Sequence, residues 1–331
     1  MTIQEIFKNA DLIAGKDAVY ITDTNVYSFY KDCFNEKRTI VIEAGEKSKD
    51  WSTISYIIDQ LLINNASRKT FLVGVGGGVV TDITGFVASI YMRGIDFGFI
   101  STSLLGMVDA SIGGKNGIDF GGYKNMIGTF RMPEFIFYSV DFLDTLPKEE
   151  MRNGFGEILK YGIGFSKDLF MKLYNSSFDK LVQDKLALAE CISQCVSIKE
   201  KIVKFDMLED SQRKHLNLGH TFAHAIERYT DYKMPHGMAV GKGLWAITEY
   251  SYSNSYINKD EHDKIVEVLN NYGFVDANTK SLVDISKNYI EHDKKSDKDF
   301  IDLIVLDTIG VCSTTKVKIQ ELNPEAISLN Y

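Results

Sequence analysis

A chain of 331 residues is too long for one compact core of ordinary size, so two domains are expected. Hydrophobic residues at 44% and charged residues at 25% fit a soluble globular protein, and a net charge of -8 argues against a nucleic-acid surface while leaving room for a local basic pocket. The N-terminal stretch has no basic segment followed by an apolar core, and no apolar run reaches the roughly 20 residues that span a bilayer. No membrane or nucleic-acid partner and a cytoplasmic location are therefore expected.

In chain order, Ala18–Asp23, Thr39–Ala44, Thr70–Val75, Phe97–Ser101 and Phe135–Val140 read as buried strands, with segments of helical length between several of them. That alternation predicts a mainly parallel sheet flanked by helices. From about Glu149 the pattern changes to long helices over Lys180–Lys204, Leu216–Arg228 and His236–Tyr250, with a β-rich run at Phe300–Leu306. Pro147 limits backward helix propagation, so the boundary is set there: an α/β domain over 1–147 and an α-helical domain over 148–331. Of the four cysteines, Cys191 and Cys195 lie one helical turn apart, and the pair is read as buried packing residues.

Three groups of residues suggest chemistry. Phe71–Asp82 runs from a strand through Gly76, Gly77 and Gly78 into a helix, as a pyrophosphate site needs, although a tight turn with no ligand has the same spacing. Asp23, Thr24 and Asn25 stand at the end of the first strand, where they suit either a ribose or a helix cap. Arg93, Lys115 and Lys124 stand in or beside glycine-rich segments and together suggest an anionic substrate.

The most informative run is Asn217–Glu227 with Pro235-His236-Gly237. Three of the six histidines fall between positions 220 and 236, and His220 and His224 share one helix face, a spacing that suits a metal. Glu157 is a candidate carboxylate, but spacing alone cannot bring it to the histidines.

The ordered blocks Gly76–Asp82, Arg93-Gly94, Ser101–Leu105, Asp109–Lys115, Lys124-Asn125, Thr145–Pro147, Glu157-x-x-Lys160, Asn217–Ala225 and His236-Gly237 resemble the 3-dehydroquinate synthases, within the sugar phosphate cyclase superfamily. The resemblance implies a Rossmann-like nucleotide-binding domain followed by a mainly α-helical metal-binding domain. It implies zinc or cobalt on Glu157, His220 and His236, with His224 facing substrate instead of binding the ion. It places Asp23, Asn25, Glu46, Lys49, Gly76, Gly77, Gly78, Asp82, Thr102, Ser103, Phe142, Thr145 and Leu146 near NAD. Catalytic and substrate contacts are expected from Arg93, Asp109, Lys115, Lys124, Asn125, Lys160, Lys199, Arg213, Asn217, His224 and Lys294, with Glu209 supporting the pocket.

The implied activity is a phosphate-eliminating lyase that converts 3-deoxy-arabino-heptulosonate 7-phosphate to 3-dehydroquinate. Its steps are transient oxidation by NAD, β-elimination, reduction and intramolecular aldol closure, in a homodimer. Thr81, Ser101, Ser103 and Met238 depart from the family pattern. They keep open a cyclase with another substrate; a metal-dependent polyol or glycerol-phosphate dehydrogenase, which would accumulate NADH, is the other enzyme reading. A regulatory protein with a decayed site would require lost ligands or lysines, and the sequence retains both.

Overall fold

The computed structural model describes residues 1–209, 211–292 and 300–322; Lys294 lies outside the described residues. The chain divides into two compact units, Met1–Met151 and Arg152–Tyr331.

The first unit opens with α1 (Ile3–Ala14), started by a reciprocal capping box between Thr2 and Glu5. There follow β1 (Ala18–Asp23), α2 (Thr24–Tyr30), β2 (Thr39–Ile42), α3 (Trp51–Ile63), β3 (Phe71–Gly76), α4 (Gly78–Ile90) and β4 (Phe97–Ser101). The unit continues through β5 (Lys115–Phe120), β6 (Tyr123–Phe130) and β7 (Ile136–Tyr138). Five strands form one sheet in the order β2-β1-β3-β4-β7, every neighbouring pair parallel. β3 and β4 are buried along their whole length, as strands covered on both faces must be, and this is why they read as unbroken apolar runs. The core between sheet and helices includes Ile21, Ile54, Ile57, Leu72, Ile83, Val87 and Phe99.

Strand order reverses between β1 and β3, whose carboxyl ends lie side by side. In an open parallel sheet that switch point opens a crevice for a ligand. It lies between Asp23, which ends β1, and the Gly76–Gly78 turn that leads from β3 into α4. A β-carbon on Gly76 would stand 2.5 Å from Val80, so the missing side chain lets α4 start directly against β3.

An antiparallel hairpin of β5 and β6 does not appear in the sequence reading. Its turn is Gly121-Gly122, both at positive φ, the backbone of a tight two-residue hairpin connection. That glycine pair is the signal that could have revealed it.

The second unit begins, within α5 (Lys148–Phe165), after Pro147, and continues through α6 (Lys167–Tyr174), α7 (Phe178–Gln183) and α8 (Lys185–Phe205). Then come α9 (His220–Tyr229), α10 (His236–Ser253), α11 (Lys259–Asn271), α12 (Thr279–Ser286), the antiparallel strands β8 (Phe300–Thr308) and β9 (Val311–Lys318), and the short α13 (Ile319–Leu322). Two expected helices are interrupted. The Lys180–Lys204 segment breaks at Asp184, whose carboxylate caps α8 by accepting the Leu186 and Ala187 N–H groups. The Leu216–Arg228 segment starts as a 3₁₀ turn and enters α9 only after Gly219 at φ 77°. Cys191 and Cys195 are buried and form no disulfide among the described residues, in keeping with a packing role. Among the described residues no helix is long and apolar enough to cross a membrane.

Candidate active site

In the second unit, three close glycine contacts bring α5, α10 and the start of α9 together. A β-carbon on Gly156 would lie 2.0 Å from the Gly237 carbonyl oxygen, and one on Gly237 would lie 1.8 Å from that of Asn153. A β-carbon on Gly243 would likewise sit 2.2 Å from the Gly219 carbonyl oxygen. With no side chains at these points the helix backbones touch, and the residues next to the crossings face each other. Glu157 follows Gly156, His220 follows Gly219, and His236 precedes Gly237. The Asn153 side-chain oxygen accepts the Gly237 N–H at 2.6 Å, fixing the first turn of α10.

His236 Nε2 lies 3.2 Å and His220 Nε2 3.5 Å from Glu157 Oε1. Within this group one ligand atom from each residue lies within 4.8 Å of the others. His220 Nδ1 faces the Leu218 carbonyl at 3.2 Å, an arrangement that keeps the proton on Nδ1 and presents a bare Nε2. Two imidazoles and one carboxylate are a donor set that suits zinc or cobalt. The residues present therefore fit a catalytic metal.

Glu157 is fully buried, and burial alone would raise its carboxyl. The Lys160 ammonium, 2.5 Å from Oε2, and the two histidines outweigh that and hold it well below the usual range. Burial likewise works against a charged His236, but hydrogen bonds to Glu157 and Glu227 push its imidazole up to about 10. His224 stands on α9 with its ring 5.5 Å from that of His220 and 6.4 Å from that of His236, outside the converging trio.

Elsewhere in the second unit, Lys199 is buried on α8, and Arg213 is buried in the 3₁₀ turn Gln212–Asn217, its Nη1 donating to the Met207 carbonyl. Asn217 donates to Glu209 at 2.9 Å, and Glu209 adopts a left-handed φ of 65°. Glu227 and Asn153 are not legible in the sequence, because a buried acid and an amide next to a histidine cluster carry no spacing signature.

In the first unit, Asp23 caps α2 by accepting the Asn25 and Val26 N–H groups, so the cap reading of this residue is realised at the mouth of the crevice. Burial raises its carboxyl, and the two backbone donors only partly offset this. Lys49 pairs with Asp82 at 2.6 Å and donates to the Asn125 side-chain oxygen at 2.6 Å. Burial works against its charge, but Asp82 and then Glu46 hold the ammonium above its ordinary value. Asn125 sits at φ 52°, and its N–H donates to Asp119, whose own N–H donates to the Lys49 carbonyl. The β5–β6 hairpin is thereby stitched to Lys49.

Lys124 pairs loosely with Glu46 at 3.9 Å, and Lys115 is exposed at the start of β5. Arg93 follows Met92 in a turn where both have positive φ, at 73° and 48°. Asp109 lies in a short π-helix, Gly106–Ala110. Left-handed non-glycine residues and π-turns both cluster at functional sites. Ser103 accepts the Gly106 N–H, beside Thr102 at the end of β4. Thr145 shares a hydrogen bond with Tyr30 and donates to Phe142, whose ring packs edge-on to Tyr30; Leu146 follows. Thr81, one of the departures from the family pattern, is buried in α4 and donates to the Gly78 carbonyl.

The parallel-sheet unit thus carries a ligand crevice, and the helical unit carries a Glu–His–His cluster. Among solved structures, 2-deoxy-scyllo-inosose synthase complexed with carbaglucose-6-phosphate, NAD+ and Co2+ shares this fold with a TM-score of 0.82 and 22% identity, over 96% of this chain and 92% of that one. The 2-epi-5-epi-valiolone synthase of Streptomyces hygroscopicus, with NAD+ and Zn2+ bound, has a TM-score of 0.80 and 23% identity over 98% and 94%. A probable glycerol dehydrogenase from Sinorhizobium meliloti is more distant, with a TM-score of 0.61 and 13% identity over 98% and 94%.

The family models for the 3-dehydroquinate synthase N-terminal and C-terminal regions match residues 39–153 and 154–296. The 3-dehydroquinate synthase of Pyrococcus furiosus is 44% identical over 71% of this chain and 68% of its own length. That of Clostridium kluyveri is 37% identical over 93% and 88%. The chain belongs to the 3-dehydroquinate synthase family.

Proposed function

We propose that the chain converts 3-deoxy-arabino-heptulosonate 7-phosphate to 3-dehydroquinate and phosphate, as a cytoplasmic homodimer that uses NAD and one zinc or cobalt ion. The observation that carries this reading is the match of both family regions in consecutive order over residues 39–296. The Glu157–His220–His236 cluster supports it independently. Nucleotide binding is assigned to 1–147 and metal binding to 148–331.

When bound, the ion supplies Lewis acidity and NAD supplies a hydride acceptor that is restored within each turnover. Glu157, His220 and His236 would hold the ion, and Lys160 balances the buried carboxylate. Gly77 and Gly78, at the start of α4, offer free N–H groups and the positive end of the helix to a pyrophosphate. Asp23, Asn25, Glu46, Lys49, Asp82, Thr102, Ser103, Phe142, Thr145 and Leu146 are assigned to the remainder of the nucleotide. The Lys49–Asp82 pair would keep that surface in one conformation before the nucleotide arrives.

Arg93, Lys115, Lys124 and Asn125 in the first unit, and Lys160, Lys199, Arg213 and Asn217 in the second, are assigned to the substrate's carboxylate, hydroxyls and phosphate. Asp109 and His224 join them, with Glu209 holding Asn217. A cationic surround favours departure of phosphate as a dianion and lets the leaving group itself take the adjacent proton.

Product identification tests the substrate. Incubation with the carboxylated heptulosonate phosphate is expected to give dehydroquinate, and a carboxylate-free hexose phosphate no phosphate release. The reverse pattern would assign the chain to a different cyclase reaction.

A further inference from the structure

Glu227 lies on α9 two helical turns after His220, is 3% exposed, and has its Oε1 3.4 Å from His236 Nδ1. The other ring nitrogen of His236, Nε2, is the one that faces Glu157. The imidazole is thus held between two buried carboxylates, one on the side of the proposed ion and one behind it. His220 shows the same division of roles, with the Leu218 carbonyl behind the ring. A carboxylate behind a metal-binding imidazole fixes its tautomer and orientation and makes its free nitrogen more basic. Burying an acid this fully is costly unless it has a partner, so a surface-solubility role does not account for Glu227.

We infer that Glu227 is a positioning residue for the metal centre, acting through His236 to aim Nε2 at the ion; this rests on the metal reading of the Glu157–His220–His236 cluster. It has a consequence that a purely structural acid would lack. Both the affinity for the ion and the ligand field at the ion depend on Glu227.

The full-length chain and its Glu227→Gln and Glu227→Ala variants are stripped of metal, checked by circular dichroism, and titrated with Zn2+ against a competing chelator. Each is then saturated with Co2+ and its visible absorption recorded. Glu227→Gln keeps an acceptor oxygen and the shape of the side chain, so it decides the matter should Glu227→Ala fail to fold. Unchanged circular dichroism, a loss of Zn2+ affinity of about 10–100-fold and an altered spectrum at full Co2+ loading are expected, with the larger loss in Glu227→Ala. Wild-type affinity and an unchanged Co2+ spectrum in the folded variants would overturn the inference alone. A wild-type chain that takes up neither ion would overturn the metal reading and the inference with it.

Discussion

Glu157 and His236 face each other at 3.2 Å because the residues beside them, Gly156 and Gly237, have no side chains to hold α5 and α10 apart. The ligand cluster is therefore a product of helix packing as much as of ligand identity. Adding a methyl at Gly237 would drive a β-carbon to 1.8 Å from a backbone oxygen that cannot rotate away. Gly237→Ala is expected to cost about 1–3 kcal/mol through overpacking and to weaken Zn2+ binding as the helices separate. Thermal unfolding and chelator competition on the same sample check both effects; a variant with unchanged Zn2+ affinity would show that the crossing does not set the site.

His220→Ala and His236→Ala each remove one donor from the converging trio. Either is expected to lower Zn2+ affinity by more than the ~10–100-fold cost of losing an outer partner. His224→Ala, outside the trio, is expected to leave metal affinity near that of the wild type and to lower turnover. Zinc content after dialysis, read beside phosphate release, separates the two classes.

Lys49 and Asp82 form a largely buried pair that also holds Asn125. Lys49→Met strips the charge from one partner and leaves the other with little solvent. The expected cost is of the order of 3 kcal/mol in stability, accompanied by weaker NAD binding. In Lys49→Met/Asp82→Leu much of the stability is expected to return and the NAD affinity not to. Chemical denaturation and a fluorescence titration with NADH measure the two.

Lys242 is buried in α10 and donates to the Phe274 carbonyl, Asp276 and Thr279. The hydrogen bond from Lys242 holds the Asp276 carboxyl below its ordinary value of 3.8. A depressed folded-state value means that the pair's contribution is complete above the unfolded value, near pH 4, and fades as the pH falls through the folded value. Asp276→Asn is therefore expected to lower stability at pH 7 and to lessen the loss on going from pH 4 to pH 2. Denaturant midpoints for the two proteins at these pH values test the sign.

Much of the first unit is legible in the sequence because a sheet covered on both faces leaves continuous apolar runs. Ala18–Asp23 and Phe97–Ser101 fall on β1 and β4 residue for residue. The β5–β6 hairpin is not, since its strands are half-exposed and Lys115 and Lys124 within it read as contacts for an anionic substrate. In the second unit, helix content shows in the periodicity, but the breaks do not. Asp184 and Gly219 each end a pattern that the neighbouring apolar residues continue.

The candidate metal trio came from family resemblance, because the spacing of His220 and His224 points to a different pair. What decides between them is three-dimensional: the glycine crossings bring Glu157 and His236 from distant helices to His220, and no local period in the sequence encodes that meeting.

The cyclase assignment is tested by supplying the metal-loaded chain with catalytic NAD and 3-deoxy-arabino-heptulosonate 7-phosphate and following phosphate and NADH together. Many phosphates released per NAD, no accumulated NADH, dehydroquinate as product, and loss of activity in His220→Ala are expected. NADH accumulating in step with turnover, or no phosphate from a chain that binds both zinc and NAD, would contradict it.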